Sequence, residues 1–346
     1  MKVLLISNMF PSKNSYSGVF IKRQVEDLEN DGIKVITVVK NDNKYLGYVP
    51  FIFKSILYLI FKSYDLVHAH YGFHSALMPA IIKRKPLLTT FHGSDALIEP
   101  FRNSIYYFLQ KFTISRSDHI IAVSNDVRNS LISNLNADPE KISIVSCGVN
   151  TSIFVPLNRI NSRKNNGIAE DTKAVLFAGD ISYMKGVDVL YQCARLMPNV
   201  LFILIGNGKF RSNIKNCKFV GPCSHDEMPM WMNTADVLVL PSRSEGLPTV
   251  ILEALSCGTP VIASNVGGCP DIVQDGHTGF IVPIDNAKVL QEKISDLLTD
   301  DNNRVLMGMH GRKRMIDEYD NKKIAKRIKQ LYRNTISSRK SLYAVQ

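Results

Sequence analysis

Glu245 and Glu253 are two carboxylates with seven residues between them, set in the run Ser244-Glu245-Gly246-Leu247-Pro248-Thr249-Val250-Ile251-Leu252-Glu253. Gly246 and Pro248 mark a turn into a helix, because proline fits a first helical turn where its missing N–H is not needed. Backbone N–H groups at such a start suit a phosphate. Two turns of helix would bring Glu253 back to the azimuth of the helix start, within reach of hydroxyls on whatever that phosphate carries. Acids would repel the phosphate itself, so both are expected to accept hydrogen bonds from neutral hydroxyls. The ligand chemistry implied is a diphosphate flanked by polyols.

Three further segments carry polar groups after apolar runs. Phe177 to Gly186 contains Asp180 and Lys185. Leu204-Ile205-Gly206-Asn207-Gly208-Lys209 permits a tight turn and the close approach of a ligand. A dinucleotide fingerprint would want glycine at position 211, where Arg211 stands. Thr90-Phe91-His92-Gly93-Ser94-Asp95 sets an imidazole beside a carboxylate.

The whole frame Pro241-Ser242-Arg243-Ser244-Glu245-Gly246-Leu247-Pro248, with Glu253 behind it, resembles the signature of retaining, nucleotide-sugar-dependent glycosyltransferases of family four, which have the GT-B fold. Asp65-Leu66-Val67-His68-Ala69-His70, Cys147-Gly148-Val149-Asn150 and Asp275-Gly276 with Gly279-Phe280 extend the resemblance over most of the chain. It implies Glu253 as the ribose ligand and Glu245 as the ligand of the donor sugar. The amides of Gly246 and Leu247 would cover sugar and diphosphate, Lys185 would hold phosphate, and Gly206 would line the nucleotide. Asp180 occupies the place where the family usually has arginine, so either Asp180 points elsewhere, capping the next segment, or another cation such as Arg243 or Lys209 compensates. His92 is expected to orient the sugar and stabilise the transition state, with Asp95 on the acceptor side as a support or an acceptor contact, and Gly18 there to let the acceptor or the leaving diphosphate approach. Retention could proceed by front-face departure assisted by the diphosphate or by two displacements through a covalent intermediate.

These groups need strand ends to stand on. Short apolar runs at 3–7, 35–39, 66–70, 87–90, 120–123 and 142–145 alternate with amphipathic segments, and runs at 175–178, 201–205, 237–240, 261–263 and 280–282 repeat the pattern. Such alternation specifies an α/β protein of two doubly wound, Rossmann-like domains. Ligands of parallel sheets bind beyond the carboxyl ends of the strands, so an interdomain cleft is expected. The polar stretch 156–173 reads as the linker. The domains expected are 1–160 for the acceptor and 161–320 for the nucleotide sugar, with a C-terminal helix in 321–346 crossing back to the first.

Lys plus Arg number 42 against 31 Asp plus Glu, an excess that favours an anionic partner. Six isolated cysteines and no leader-like segment point to a reduced, cytoplasmic location. In 49–62, Lys54, Tyr58 and Lys62 share one helical face amid apolar and aromatic residues, and 101–111 adds Tyr106, Tyr107 and Phe108. Such a surface suits peripheral contact with the inner face of the cell membrane.

The function expected is sugar transfer from a nucleoside-diphosphate sugar to a lipid-linked glycan, in bacterial-type surface polysaccharide or lipopolysaccharide synthesis. Neither cofactor nor metal is expected, the donor being a substrate, and no aromatic-basic pattern indicates nucleic acid. The alternative is a metal-dependent hydrolase using His68, His70 and His74.

Overall fold

A computed structural model of the chain describes residues 1–11, 18–40, 45–209 and 213–344. It divides into two compact units, Met1–Gly148 with Asn321–Gln346, and Val149–Asp320.

The first unit is built on six parallel strands, β1 (Lys2–Ser7), β2 (Lys34–Val39), β3 (Leu66–His70), β4 (Leu87–Phe91), β5 (His119–Ala122) and β6 (Ile142–Ile144), in the order β2-β1-β3-β4-β5-β6. Every residue of β3 and β4 is buried, as apolar runs covered by helices on both faces should be. The helix Asn321–Ala344 belongs to this unit because its residues Ile324, Ala325, Ile328 and Tyr332 recur at helical spacing and pack on Val3, Leu28 and Leu66.

The second unit carries β7 (Ala174–Ala178), β8 (Leu201–Ile205), β9 (Cys217–Gly221), β10 (Val237–Leu240), β11 (Val261–Ser264) and β12 (Gly279–Val282), also all parallel, in the order β12-β11-β10-β7-β8-β9. This is the Rossmann order, and it reverses between β7 and β10. In the first sheet the reversal lies between β1 and β3. Loops that leave these strands at their carboxyl ends are where a ligand is expected.

Three expectations change. Strand β9 has no counterpart among the apolar runs, because Cys217-Lys218-Phe219-Val220-Gly221 is a half-buried edge strand with a lysine inside it. The stretch 156–173 is more than a linker: it contains the helix Arg159–Asn165, whose Arg163 pairs with buried Asp236 at 3.0 Å. The helix after Glu245 is Thr249–Ser256 with Pro248 at its cap, so Glu253 is its fifth residue and lies one turn inside, not two.

Candidate active site

In the second unit the loops after β7 and β10, the two strands flanking the reversal, are pressed together backbone to backbone. Gly186 ends the short turn Tyr183–Lys185 at φ 67, and a Cβ there would lie 1.9 Å from the carbonyl oxygen of Pro241. The amide of Arg243 donates to the carbonyl of Met184 at 2.9 Å. The Arg243 guanidinium lies 3.6 Å over the Tyr183 ring and holds Asp188 by two bonds of 2.8 Å, with Asp285 at 2.6 Å. Arg243 is thus committed to fastening the loops and does not compensate for Asp180. Asp180 and Lys209 are both exposed.

The fastening sets Lys185 against Glu245, Nζ to Oε1, at 2.7 Å. The same carboxylate oxygen accepts from Ser242 Oγ at 2.7 Å. Behind Glu245, a Cβ on Gly267 (φ 52) would stand 2.0 Å from its carbonyl oxygen, and the Gly268 amide donates to the Gly246 carbonyl at 2.8 Å. Gly246 and Leu247 follow in the approach to Thr249–Ser256, whose start no side chain caps. One turn on, Glu253 meets His225, Nε2 to Oε1, at 2.9 Å, and the His225 ring stands edge-on to Phe154. Gly206 holds φ 145 after β8, where a Cβ would strike the Gly179 carbonyl oxygen at 1.9 Å; its close approach is to the loop that leads to Lys185.

In the first unit, His92 follows β4. Its Nε2 lies 3.0 Å from His70 Nδ1, and its ring packs near Phe20 and Tyr71. Burial holds the imidazoles of His68 and His92 down to about 3, and that of His70 well down, so all three are neutral at pH 7. Asp95 is buried, and its carboxylate accepts from the amides of Gly72, His92 and Gly93 at 2.9–3.0 Å. Burial pushes its pKa up to about 6 against the pull of those donors. Asp95 therefore ties two loops together, the support half of its expected role. Gly18 opens the helix Val19–Asn30 at φ 81, and the atoms its missing Cβ spares are the chain's own Met9 and Phe10 backbone. Residues 12–17 of the loop that ends at Gly18 lie outside the described residues.

The hydrolase alternative does not hold. His68 is occupied by Tyr332 and Thr90 at 2.7 Å each, His70 turns to His92, and His74 pairs with Glu99 at 3.2 Å. Among the described residues no cluster of His, Cys, Asp or Glu could hold a metal ion. Sequence reasoning missed Ser242 and His225. Only Ser242 lay inside a recognisable frame; His225 sits 28 residues from its partner.

Two Rossmann-like units of parallel strands make the GT-B fold. The family described as "Glycosyl transferases group 1" matches residues 158–314, and that described as "Glycosyltransferase Family 4" matches residues 17–153. An uncharacterized glycosyltransferase of Methanocaldococcus jannaschii is 32% identical, over 90% of this chain and 92% of that protein. Other curated relatives are longer, and the chain spans 51% to 65% of their length. Among solved structures, sucrose-phosphate synthase from Thermosynechococcus elongatus superposes with a TM-score of 0.86 at 22% identity, covering 98% of this chain and 100% of that one. HepE of Anabaena, solved in complex with UDP-glucose, does so with a TM-score of 0.79 at 20% identity, covering 98% and 100%. The chain belongs to the GT-B glycosyltransferases and is a transferase enzyme.

Proposed function

We propose that the chain transfers a sugar, with retention of anomeric configuration, from a nucleoside-diphosphate sugar to a lipid-linked glycan in surface polysaccharide or lipopolysaccharide synthesis. One observation carries the donor reading: Lys185 and Glu245 meet where the two loops flanking the second sheet's reversal converge, with Glu253 one helical turn behind. Lys185 and the amides of Gly246 and Leu247 neutralise the charge that gathers on the departing diphosphate. Glu245 accepts from donor-sugar hydroxyls and Glu253 from ribose hydroxyls. From the first unit, His92 orients the reacting sugar. No cofactor takes part, since positive side chains and amides supply the electrophilic help. The UDP-glucose bound by HepE supports this donor class.

The acceptor reading rests on the helix Tyr48–Phe61. Phe51, Ser55 and Leu59 face inward, while Val49, Phe53 and Phe61 are exposed, Phe61 to 77%. Lys54 and Lys62 flank the Tyr58 ring at 5.5 and 5.6 Å. On the helix Ser104–Arg116, Ile105 and Phe108 are exposed as well. No helix among the described residues is long and apolar enough to cross a membrane. Apolar stripes flanked by lysines suit the headgroup layer of an anionic bilayer, at the cytoplasmic face where nucleotide sugars are made.

Calorimetric titration with nucleoside diphosphates and their sugars tests the donor reading, and the anomeric configuration of the product tests retention. Absence of binding by every such donor overturns the first. Flotation with anionic and neutral vesicles tests the surface: binding to anionic vesicles that Phe53→Ser with Phe61→Ser abolishes is expected, and no flotation overturns it.

A further inference from the structure

Gln24, His70 and His92 form a chain of hydrogen bonds that reaches back to the C-terminal helix through Tyr332. Gln24 Nε2 lies 3.4 Å from His70 Nε2, and His70 Nδ1 lies 3.0 Å from His92 Nε2. Gln24 also bonds the Tyr332 hydroxyl, which lies 2.7 Å from His68 Nδ1, and His68 Nε2 lies 2.7 Å from Thr90 Oγ1.

An amide nitrogen only donates, so His70 Nε2 must be the unprotonated, accepting nitrogen. Neutral His70 then carries its proton on Nδ1 and donates it to His92 Nε2. Neutral His92 is left with its proton on Nδ1. On the other branch the amide's second hydrogen goes to the Tyr332 oxygen, the Tyr332 hydroxyl donates to His68 Nδ1, and His68 Nε2–H donates to Thr90. With the amide nitrogen toward His70, every donor along the chain meets an acceptor except the last, His92 Nδ1–H, which is left for a ligand. Reversing the Gln24 amide inverts each imidazole and leaves His92 Nδ1 a bare acceptor.

We infer that Gln24 and His70 are positioning residues that fix the tautomer of His92, presenting Nδ1–H as a neutral hydrogen-bond donor to an oxygen of the reacting sugar. The inference rests on the reading of His92 as a site residue. Among the described residues Nδ1 has no protein partner, while the ring is held near Phe20 and Tyr71 at centroid distances of 5.0 and 4.7 Å. A fixed neutral donor stabilises charge building on an oxygen without offering a competing base.

Nitrogen-15 NMR of the imidazoles in the full unliganded chain at pH 7 reads the tautomers directly. Protons on Nδ1 of both His70 and His92 are expected, and a proton on Nε2 of His92 overturns the inference. Gln24→Glu, whose carboxylate accepts instead of donating, is expected to move the His92 proton to Nε2; persistence on Nδ1 removes Gln24 from the role. For the donor itself, the amide nitrogen of His92→Asn stands near where Nδ1 was and that of His92→Gln near where Nε2 was. The Asn variant is expected to retain about ten-fold more transfer rate than the Gln variant, the worth of one hydrogen bond of about 1.4 kcal/mol. Equal losses overturn the donor role. Wild-type rates in both variants instead overturn the reading of His92 as a site residue, with the NMR result standing apart from it.

Discussion

Lys185 and Glu245, sixty residues apart in sequence, form an ion pair of 2.7 Å in which the carboxylate is almost wholly covered and the ammonium partly open. The pair holds the two proposed ligand groups against each other before a donor arrives. A diphosphate would compete for the ammonium, and its binding would release the carboxylate to accept sugar hydroxyls. Lys185→Ala is expected to lower kcat/KM about 100- to 1,000-fold, the range for losing one group that stabilises developing charge. Glu245→Gln should act in two directions, tightening the free nucleoside diphosphate while slowing transfer. Calorimetry alongside initial rates checks this, and weaker diphosphate binding by Glu245→Gln would sink the exchange.

Glu253 Oε1 meets His225 Nε2 in the unliganded chain, and the carboxylate keeps lone pairs for a ribose hydroxyl, including both of those on Oε2. Wild-type enzyme should prefer a nucleoside diphosphate over its 2′,3′-dideoxy analogue. Glu253→Ala should bind both alike, with a loss of about 2 kcal/mol for the natural compound, as for a hydrogen bond to a charged group. His225→Phe keeps the ring against Phe154 but frees the carboxylate to turn, so a higher donor KM with little change in kcat is expected. A retained preference in Glu253→Ala refutes the ribose role.

What could be read without coordinates follows from how local each signal is. The strands Leu66–His70, Leu201–Ile205 and Val237–Leu240 are announced by short runs of mostly apolar residues, nearly all of them buried. Cys217–Gly221 is not, because an edge strand needs burial on fewer sides and tolerates Lys218. Lys185, Glu245 and Glu253 stand out because short frames surround them. The roles of Arg243 and Asp95 are set by partners brought in by the fold: Asp188 and Asp285 for one, the Gly72 amide for the other. Gly206 and Gly18 are legible as glycines but not in what they approach, which is the chain's own backbone.

Gly267 separates a packing requirement from a merely conformational one. Its φ of 52 and the 2.0 Å approach of a Cβ to the Glu245 carbonyl mean that Gly267→Ala must move the backbone carrying Glu245. Gly276, at φ 72, has nothing within 4 Å of its Cβ position. Gly276→Ala should cost only the roughly 1 kcal/mol of a left-handed alanine, with donor affinity unchanged. Gly267→Ala should melt lower and bind the donor more weakly. Equal donor affinity in the two variants would detach Gly267 from the site.

The buried imidazoles give the first unit a stability that depends on pH, and the sign follows from the direction of their shifts. His68 titrates near 6.5 when unfolded and near 3 when folded, because burial penalises its cation. Between those values the unfolded chain binds the proton that the native chain refuses. The contribution is therefore fully present above about 6.5 and is lost as pH falls toward 3. At pH 5 His68 alone would cost about 2 kcal/mol, from 1.36 kcal/mol per pKa unit. His70 and His92 act in the same sense. Asp95 opposes them: raised to about 6, it binds a proton in the native state between about 6 and its unfolded value of 3.8, offsetting part of the loss. Three groups against one leave a net fall, so melting temperature should drop steadily from pH 7.5 to pH 5. His68→Asn, which cannot titrate, should start less stable at pH 7.5 and lose less on acidification. An acid limb as steep in that variant as in the wild type would show that His68 does not carry the dependence.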